Sequence, residues 1–166
     1  MASLTKMMTA ITTVHLAEEF KLDLKTTYFK VSKNASQTPG TTANLIENQR
    51  VTILDLLYGL MLPSGNDAAV TLGENFADIL RNTRAKREKP NLMIYDRIKM
   101  TKYVVTEVKH TSYFLFVREM NVQAKRYFLK STFFTNPHGL SDKANHSTAN
   151  ELAIISSHLL KNALLH

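Results

Sequence analysis

The chain has 166 residues, a net charge of +7 and no cysteine, with 44% hydrophobic and 21% charged residues. That length suffices for one domain with a hydrophobic core, and the missing thiols exclude disulfide scaffolds and cysteine-based metal or redox sites. No apolar run reaches the ~20 residues that a membrane span needs, and the N-terminal MASLTKMMTA shows no signal-peptide pattern. The compartment therefore stays open.

The positive charge is concentrated in one stretch. Residues 81–109 hold nine Lys or Arg against three Asp or Glu, a net of +6. No nucleic-acid-binding motif accompanies these charges, so we interpret the stretch as a solvated surface loop. A basic patch that binds nucleic acid or an anionic membrane surface is the less favoured alternative.

The first third of the chain predicts a helix, a strand and a loop in that order. Apolar side chains recur at helical spacing over residues 4–19, with Ser3 at the position of an N-cap or first-turn residue. Residues 26–33 alternate and are rich in β-formers, which predicts a short strand. The segment 34–44 is rich in Asn, Ser, Thr, Pro and Gly, which predicts a loop.

A pair of helices is predicted next. Thr52 and Asp55 resemble a capping box, with Asp in place of the usual Glu, and they precede the apolar run ILDLLYGLML. Pro63 ends that helix. The tight link 64–66 then leads into a second helix, so the two helices must turn sharply against each other.

The second half of the chain is less regular. Residues 81–112 show no clear period and could form a strand pair or a helix. Residues 113–129 return to helical spacing, and 131–146 predict an irregular segment with a turn. Thr148 with Glu151 forms another capping box, which predicts the start of the last helix.

Two residues of the first helix have a spacing that suits nucleophilic catalysis. Ser3 and Lys6 form an S-x-x-K arrangement, and side chains three apart share one face of a helix. A serine hydroxyl needs an adjacent base to become a good nucleophile, and lysine serves as that base only when its pKa is lowered. This motif alone is weak evidence for catalysis, because an N-capping serine near a solvated lysine produces the same sequence pattern.

Ser64, Gly65 and Asn66 form an S-x-N element in the link between the predicted helices. Its serine could relay a proton between the lysine and a leaving group, and its asparagine could hold a substrate amide. The same pattern occurs at residues 32–34, so three residues alone also fit an ordinary turn with capping side chains.

Longer segments carry a family resemblance. ASLTKMMTA at 2–10 resembles the active-site helix of the low-molecular-mass D-alanyl-D-alanine carboxypeptidases, the S11 serine peptidase family, and TILDLLYGLMLPSGNDAAVTLGE at 52–74 resembles the surroundings of that family's second motif. MNVQAKRYFL at 120–129, FFTNPHGL at 133–140 and HSTANELAIIS at 146–156 resemble further segments in the same order. The similarity covers most of the chain.

The resemblance implies roles for four residues. Ser3 matches the acylated nucleophile and Lys6 its general base, while Ser64 and Asn66 match the serine and asparagine of the second motif. The implied activity is attack on the penultimate D-Ala carbonyl of peptidoglycan-type peptides ending in D-Ala-D-Ala, release of the terminal D-Ala and hydrolysis of the acyl-enzyme. β-Lactams are the implied covalent inhibitors, and no metal or organic cofactor is expected. His138 is expected to hold a turn.

The third motif of the family, K-T-G, has no counterpart in the sequence, because the single Lys-Thr pair at 25–26 precedes Thr27. We therefore expect residues 1–166 to form a partial domain of the α+β β-lactamase/DD-peptidase type, mostly α, with a few short strands, most of the central sheet missing and a basic insertion at about 81–112. An exposed apolar face is expected on the helix at 4–19. An inactive remnant or binding-only pseudoenzyme is the alternative function, and a β-lactamase is a further one. The family is typically exported.

Overall fold

Six helices and two short strands form the part of the chain that the structure, a computed structural model, describes: residues 1–86 and 111–161. A 3-10 turn at Ala2–Leu4 precedes the first helix. In chain order the elements are α1 (Thr5–Glu19), β1 (Tyr28–Lys30), α2 (Lys33–Ser36), β2 (Arg50–Thr52), α3 (Ile53–Met61), α4 (Asn66–Lys86), α5 (Phe114–Arg126) and α6 (Ala149–Lys161).

Helix α1 lies at the centre of the fold and contacts α3, α4, α5 and α6. Its apolar side chains are covered, with Met8 and Leu16 fully buried and Ile11 only 4% exposed. The expectation of an exposed apolar face on this helix is therefore wrong. The surrounding helices cover α1 on their own, so its burial does not depend on a large sheet.

The predicted strand at 26–33 is confirmed as β1, and it pairs with a strand that the sequence did not reveal. Strands β1 and β2 run antiparallel, with Phe29 opposite Val51. Phe29 is buried, and its ring packs edge-on against Phe76 of α4 at a centroid distance of 5.0 Å. The predicted loop 34–44 also begins with a short helix, α2, because the Ser32 hydroxyl accepts a hydrogen bond from the Ala35 amide.

Thr52 and Thr148 cap α3 and α6 as predicted, but among the hydrogen bonds of the described residues neither acidic side chain accepts the backbone amide of its cap residue, as a full capping box requires. The Thr52 hydroxyl accepts the Asp55 amide at 3.1 Å at the start of α3, and Thr148 accepts the Glu151 amide at 3.2 Å at the start of α6. The Glu151 carboxylate instead accepts the backbone amides of residues 130 and 131. The first turn of α6 thereby holds the chain that follows α5.

The predicted helix pair at 52–80 and the predicted helix at 113–129 are also confirmed, as α3, α4 and α5. The fold is mostly helical with two short strands, as the sequence predicts. Most of the predicted basic insertion, residues 87–110, lies outside the described residues. Within the described ranges, every helix is too short or too polar to cross a lipid bilayer.

One buried side chain connects α5 to the irregular segment 131–146. Asn121 is 3% exposed, and its amide pairs with both backbone groups of Phe134, donating at 2.8 Å and accepting at 2.9 Å. Segment 131–146 also closes on itself through a bridge between Phe133 and His146. These bonds fix the position of residues 136–140, which form the turn described below.

The Asn121→Ala substitution should therefore destabilise the fold strongly. It leaves the amide and carbonyl of Phe134 without their side-chain partner in a buried place, which we expect to lower the free energy of unfolding by about 2–4 kcal/mol. Urea unfolding measures the effect. Asn150→Ala, at an exposed position of α6, is the matched control, and equal losses in the two variants would contradict the role given to Asn121.

Candidate active site

Ser3 and Lys6, the predicted nucleophile and base, lie at the junction of the 3-10 turn and α1. Lys6 Nζ is 3.3 Å from Ser3 Oγ. Ser3 is exposed whereas Lys6 is only 2% exposed. The hydroxyl can therefore meet a ligand from solvent while the amine contacts it from the protein side.

The Lys6 amine has two further partners from distant parts of the chain. Nζ lies 2.8 Å from Asn66 Oδ1 and 2.8 Å from the backbone carbonyl oxygen of His138. A protonated amine donates to all three partners. A neutral amine can donate to Asn66 and His138 alone, which leaves its lone pair to accept the hydroxyl proton of Ser3. This geometry therefore suits both protonation states.

Burial lowers the pKa of Lys6 from 10.5 to about 8, because the charged ammonium loses hydration in this place. The negative charge of Asp67 acts in the opposite direction and raises the pKa. The pKa of His138 is lowered to about 4, first by burial and then by the charge of Lys6. At neutral pH the imidazole is thus neutral, and its Nδ1 accepts the Leu140 amide at 3.1 Å.

Asn66 is held in place by the segment 39–45, which precedes β2. Its Nδ2 donates to the Pro39 carbonyl and its backbone amide donates to the Thr41 carbonyl, both at 2.7 Å. Gly40, with a φ of +97°, allows this close approach, since a Cβ there would lie 2.6 Å from Asn66 Nδ2. Both ends of the Asn66 amide are bonded to protein, which leaves one N–H and one lone pair for a ligand.

Ser64 occupies a strained position before α4. Its φ of +59° is left-handed, a conformation that a non-glycine residue rarely adopts. The Thr41 hydroxyl donates to the Ser64 carbonyl at 2.5 Å. The Ser64 hydroxyl is buried and has no hydrogen-bond partner in the described part of the chain, so it is not bonded to Lys6. The structure thus brings Ser3, Lys6 and Asn66 together, with Ser64 two residues away in sequence from Asn66.

The turn formed by residues 136–140 packs against the start of α1. Asn136 Oδ1 accepts the Gly139 amide at 2.6 Å, and Thr9 of α1 donates its hydroxyl proton to the Pro137 carbonyl at 2.6 Å. Gly139 has a φ of +88°, and a Cβ there would collide with the Ala2 carbonyl beside Ser3. The expectation that His138 has a structural place in this turn agrees with these contacts.

An open cleft of about 650 Å³ adjoins this arrangement. Two of its lining residues, Pro39 and His138, are those whose carbonyls hold Asn66 and Lys6. The lining is mostly polar and uncharged, and consists of Asn34, Gln37, Thr38, Pro39, Val70, Thr111, Ser112, Tyr113, His138 and Leu140. Ser3, Lys6, Ser64 and Asn66 are not among these lining residues, so the cleft lies beside the predicted site residues and does not enclose them.

Sequence reasoning missed three contributors to the site: the carbonyls of Pro39 and His138, and the carboxylate of Asp67. A backbone carbonyl is present in every residue, so no residue type predicts that it will accept a hydrogen bond. The segments SGND and NPHGL, which resemble family segments, did indicate the regions that contain Asp67 and His138. Within residues 1–86 and 111–161, no three His, Asp or Glu side chains are grouped so that they could hold a metal ion.

The buried amine of Lys6 should make stability depend on pH. Because the folded pKa of about 8 lies below the unfolded value of 10.5, the unfolded chain binds more protons between these pH values. The Lys6 contribution to stability therefore rises with pH across this window. Between pH 7.5 and 10 we expect the free energy of unfolding of the wild type to gain about 2 kcal/mol relative to Lys6→Met.

Urea unfolding of both proteins at the two pH values measures this gain. Lys143→Met, at an exposed position, is the control for removal of a lysine charge. A stability difference between wild type and Lys6→Met that stays constant with pH would contradict the lowered pKa.

Comparison with known proteins identifies the family. The profile of the S11 peptidases, described as D-alanyl-D-alanine carboxypeptidase, matches residues 1–82 and 100–166. The chain is 33% identical over 163 residues to a D-alanyl-D-alanine carboxypeptidase of a Streptomyces species, covering 97% of this chain and 46% of that protein. It is 27% identical over 160 residues to the carboxypeptidase DacF of Bacillus subtilis, covering 96% of this chain and 32% of that protein.

Solved structures agree with this relationship. The crystal structure of penicillin binding protein 5 from Haemophilus influenzae superposes with a TM-score of 0.70 at 28% identity, over 98% of this chain and 38% of that one. The chain thus spans 32% to 46% of the length of these three relatives. With a profile match over most of its length and the DD-peptidase fold, this chain belongs to the S11 family of D-alanyl-D-alanine carboxypeptidases.

Proposed function

We propose that the chain carries the acylation machinery of a serine-type D-Ala-D-Ala carboxypeptidase, with Ser3 as nucleophile and Lys6 as general base. The observation that carries the proposal is the set of three partners around Lys6 Nζ: Ser3 Oγ, Asn66 Oδ1 and the His138 carbonyl. Two fixed acceptors orient the neutral amine so that its lone pair faces the serine hydroxyl. A pKa of about 8 leaves roughly a tenth of the amine unprotonated at pH 7.

In the proposed reaction, Ser3 Oγ attacks the penultimate D-Ala carbonyl of a peptide ending in D-Ala-D-Ala, while its proton passes to Lys6 Nζ. The C–N bond to the terminal D-Ala then breaks, and the leaving amine takes up a proton. Water hydrolyses the resulting ester and regenerates Ser3. The position of Ser3 at the start of α1 favours negative charge that develops there, because the helix dipole is positive at this end.

Ser64 is proposed as the proton relay to the leaving amine. Its buried hydroxyl has no partner within the described ranges, which leaves its proton and lone pairs uncommitted to another group. Its left-handed backbone supports this assignment, since strained residues concentrate at functional sites. Asn66 is proposed to bind the substrate amide through the N–H and lone pair that Pro39 and Lys6 do not use.

We also propose that residues 1–166 form one partial transpeptidase-like domain with a basic insertion at about 81–112. The break in the family match between residues 82 and 100 supports this organisation. Peptidoglycan-type peptides ending in D-Ala-D-Ala are the proposed substrates, and β-lactams the proposed covalent inhibitors. The mechanism needs no cofactor.

The test is covalent labelling with a fluorescent penicillin. We expect the wild-type chain to form an adduct on Ser3, identified by mass spectrometry of the N-terminal peptide, and Ser3→Ala to form none. Ser157→Ala, at an exposed position of α6, should be labelled like the wild type. If well-folded wild-type protein stays unlabelled, the proposal fails, and the alternative of an inactive remnant or binding-only pseudoenzyme takes its place.

A further inference from the structure

We propose that Asp67 is a positioning residue for this reaction: its carboxylate clamps the segment 39–45 against the site and supplies the negative charge that balances protonated Lys6. Asp67 directly follows Asn66 at the start of α4. It touches no reacting group and is 1% exposed. The inference rests on the proposed function, because it assigns Asp67 a part in preparing Lys6 and Asn66.

The clamp consists of hydrogen bonds from consecutive parts of the segment. Asp67 Oδ1 accepts the Ala43 amide at 2.9 Å, while Oδ2 accepts the Thr42 hydroxyl at 2.7 Å and the Leu45 amide at 3.0 Å. The Ala68 amide of the same helix completes the set at 2.9 Å. Across the described ranges, no Lys or Arg forms a salt bridge with this carboxylate. Neutral donors therefore hold a buried anion.

The clamped segment is also the one that places the S-x-N element. The Thr41 carbonyl accepts the Asn66 amide, the Thr41 hydroxyl donates to the Ser64 carbonyl, and the Pro39 carbonyl accepts Asn66 Nδ2. A shift of the segment would consequently displace Asn66, whose Oδ1 in turn contacts Lys6 Nζ. Asp67 thus acts on the lysine through the segment and through Asn66.

Asp67 also acts on Lys6 electrostatically, through the negative charge of its carboxylate. Burial works against the ionised carboxylate, but the hydrogen bonds from Ala43, Leu45, Thr42 and Ala68 together hold the pKa of Asp67 below its ordinary value of 3.8. Asp67 is therefore charged at neutral pH. Two titratable groups of the described chain are coupled to Lys6: Asp67 from α4 and His138 from the turn at 136–140. Since His138 is neutral above its pKa of about 4, Asp67 supplies the charge that favours protonated Lys6.

Three substitutions separate the two actions. Asp67→Asn removes the charge but keeps one acceptor oxygen, Asp67→Ala removes both charge and acceptors, and Asp67→Glu keeps the charge on a longer side chain. Asp55→Asn is the matched control, because Asp55 is also an aspartate in the first turn of a helix, bonded to the Thr52 hydroxyl at 2.6 Å. The readouts are the Lys6 titration, followed by NMR of ¹³C-labelled lysine and assigned with Lys6→Met, and hydrogen exchange of the Ala43 and Leu45 amides.

With Asp67→Asn we expect the Lys6 titration to move to lower pH, whereas Asp55→Asn leaves it in place. The ratio of penicillin acylation rates at pH 6 and pH 9 should rise about threefold, which corresponds to half a pH unit. Asp67→Ala should in addition speed exchange of the two amides, and Asp67→Glu should speed exchange while keeping the Lys6 titration closer to that of the wild type. An unchanged Lys6 titration in Asp67→Asn, or unchanged exchange in Asp67→Ala, would overturn the inference.

The test still gives an answer if the variants do not fold or if the wild-type protein is not acylated. If the variants do not fold, the wild-type protein still tests whether Asp67 binds the segment 39–45. The NMR chemical shifts of the Ala43 and Leu45 amides should follow the titration of the Asp67 carboxyl, with a midpoint below pH 3.8. Amide chemical shifts that remain constant through that titration would contradict the hydrogen bonds between this segment and Asp67. If wild-type protein is not acylated by penicillin, the proposed function fails, while the NMR titration of Lys6 still reports on Asp67.

Discussion

One buried amine joins three separate parts of this molecule. Lys6 extends from the central helix α1 and meets Asn66 at the start of α4 and the carbonyl of His138 in the turn at 136–140. Taking an ammonium group out of water is costly unless every donor finds a partner. The three contacts of Nζ meet that condition, and they require the two helices and the turn to converge on one point. The position of each element around the site follows from this requirement.

The same burial that makes the amine costly also suits it to the proposed role of general base. A lysine in water is almost fully protonated at neutral pH, whereas loss of hydration lowers the pKa of Lys6 to about 8. Asp67 opposes this effect with a charge that is itself held by backbone and hydroxyl donors of residues 42–45. Two buried groups of opposite charge therefore keep the amine near the pH at which it can both take and release a proton.

Signals within a few residues of each other predicted much of the fold, and contacts between distant residues account for what was missed. The caps at Thr52 and Thr148 and the helices that follow depend on side chains three positions apart, which sequence patterns reveal. The bond between Lys6 and the His138 carbonyl joins residues 132 positions apart, and a carbonyl is present whatever the residue. The burial of α1 was misjudged for a similar reason, since the covering by α3 to α6 depends on packing that no local pattern reports.

In the proposed mechanism, Asn66 links preparation of the nucleophile to recognition of the substrate, because its amide orients Lys6 and also binds the substrate amide. All contacts of Lys6, including the one to Ser3, come from the described helices and the turn at 136–140. None of these three hydrogen bonds involves β1 or β2, which pair with each other and contact α4 through the rings of Phe29 and Phe76. In the proposed mechanism the sequence therefore contains the nucleophile and its base as one preorganised unit.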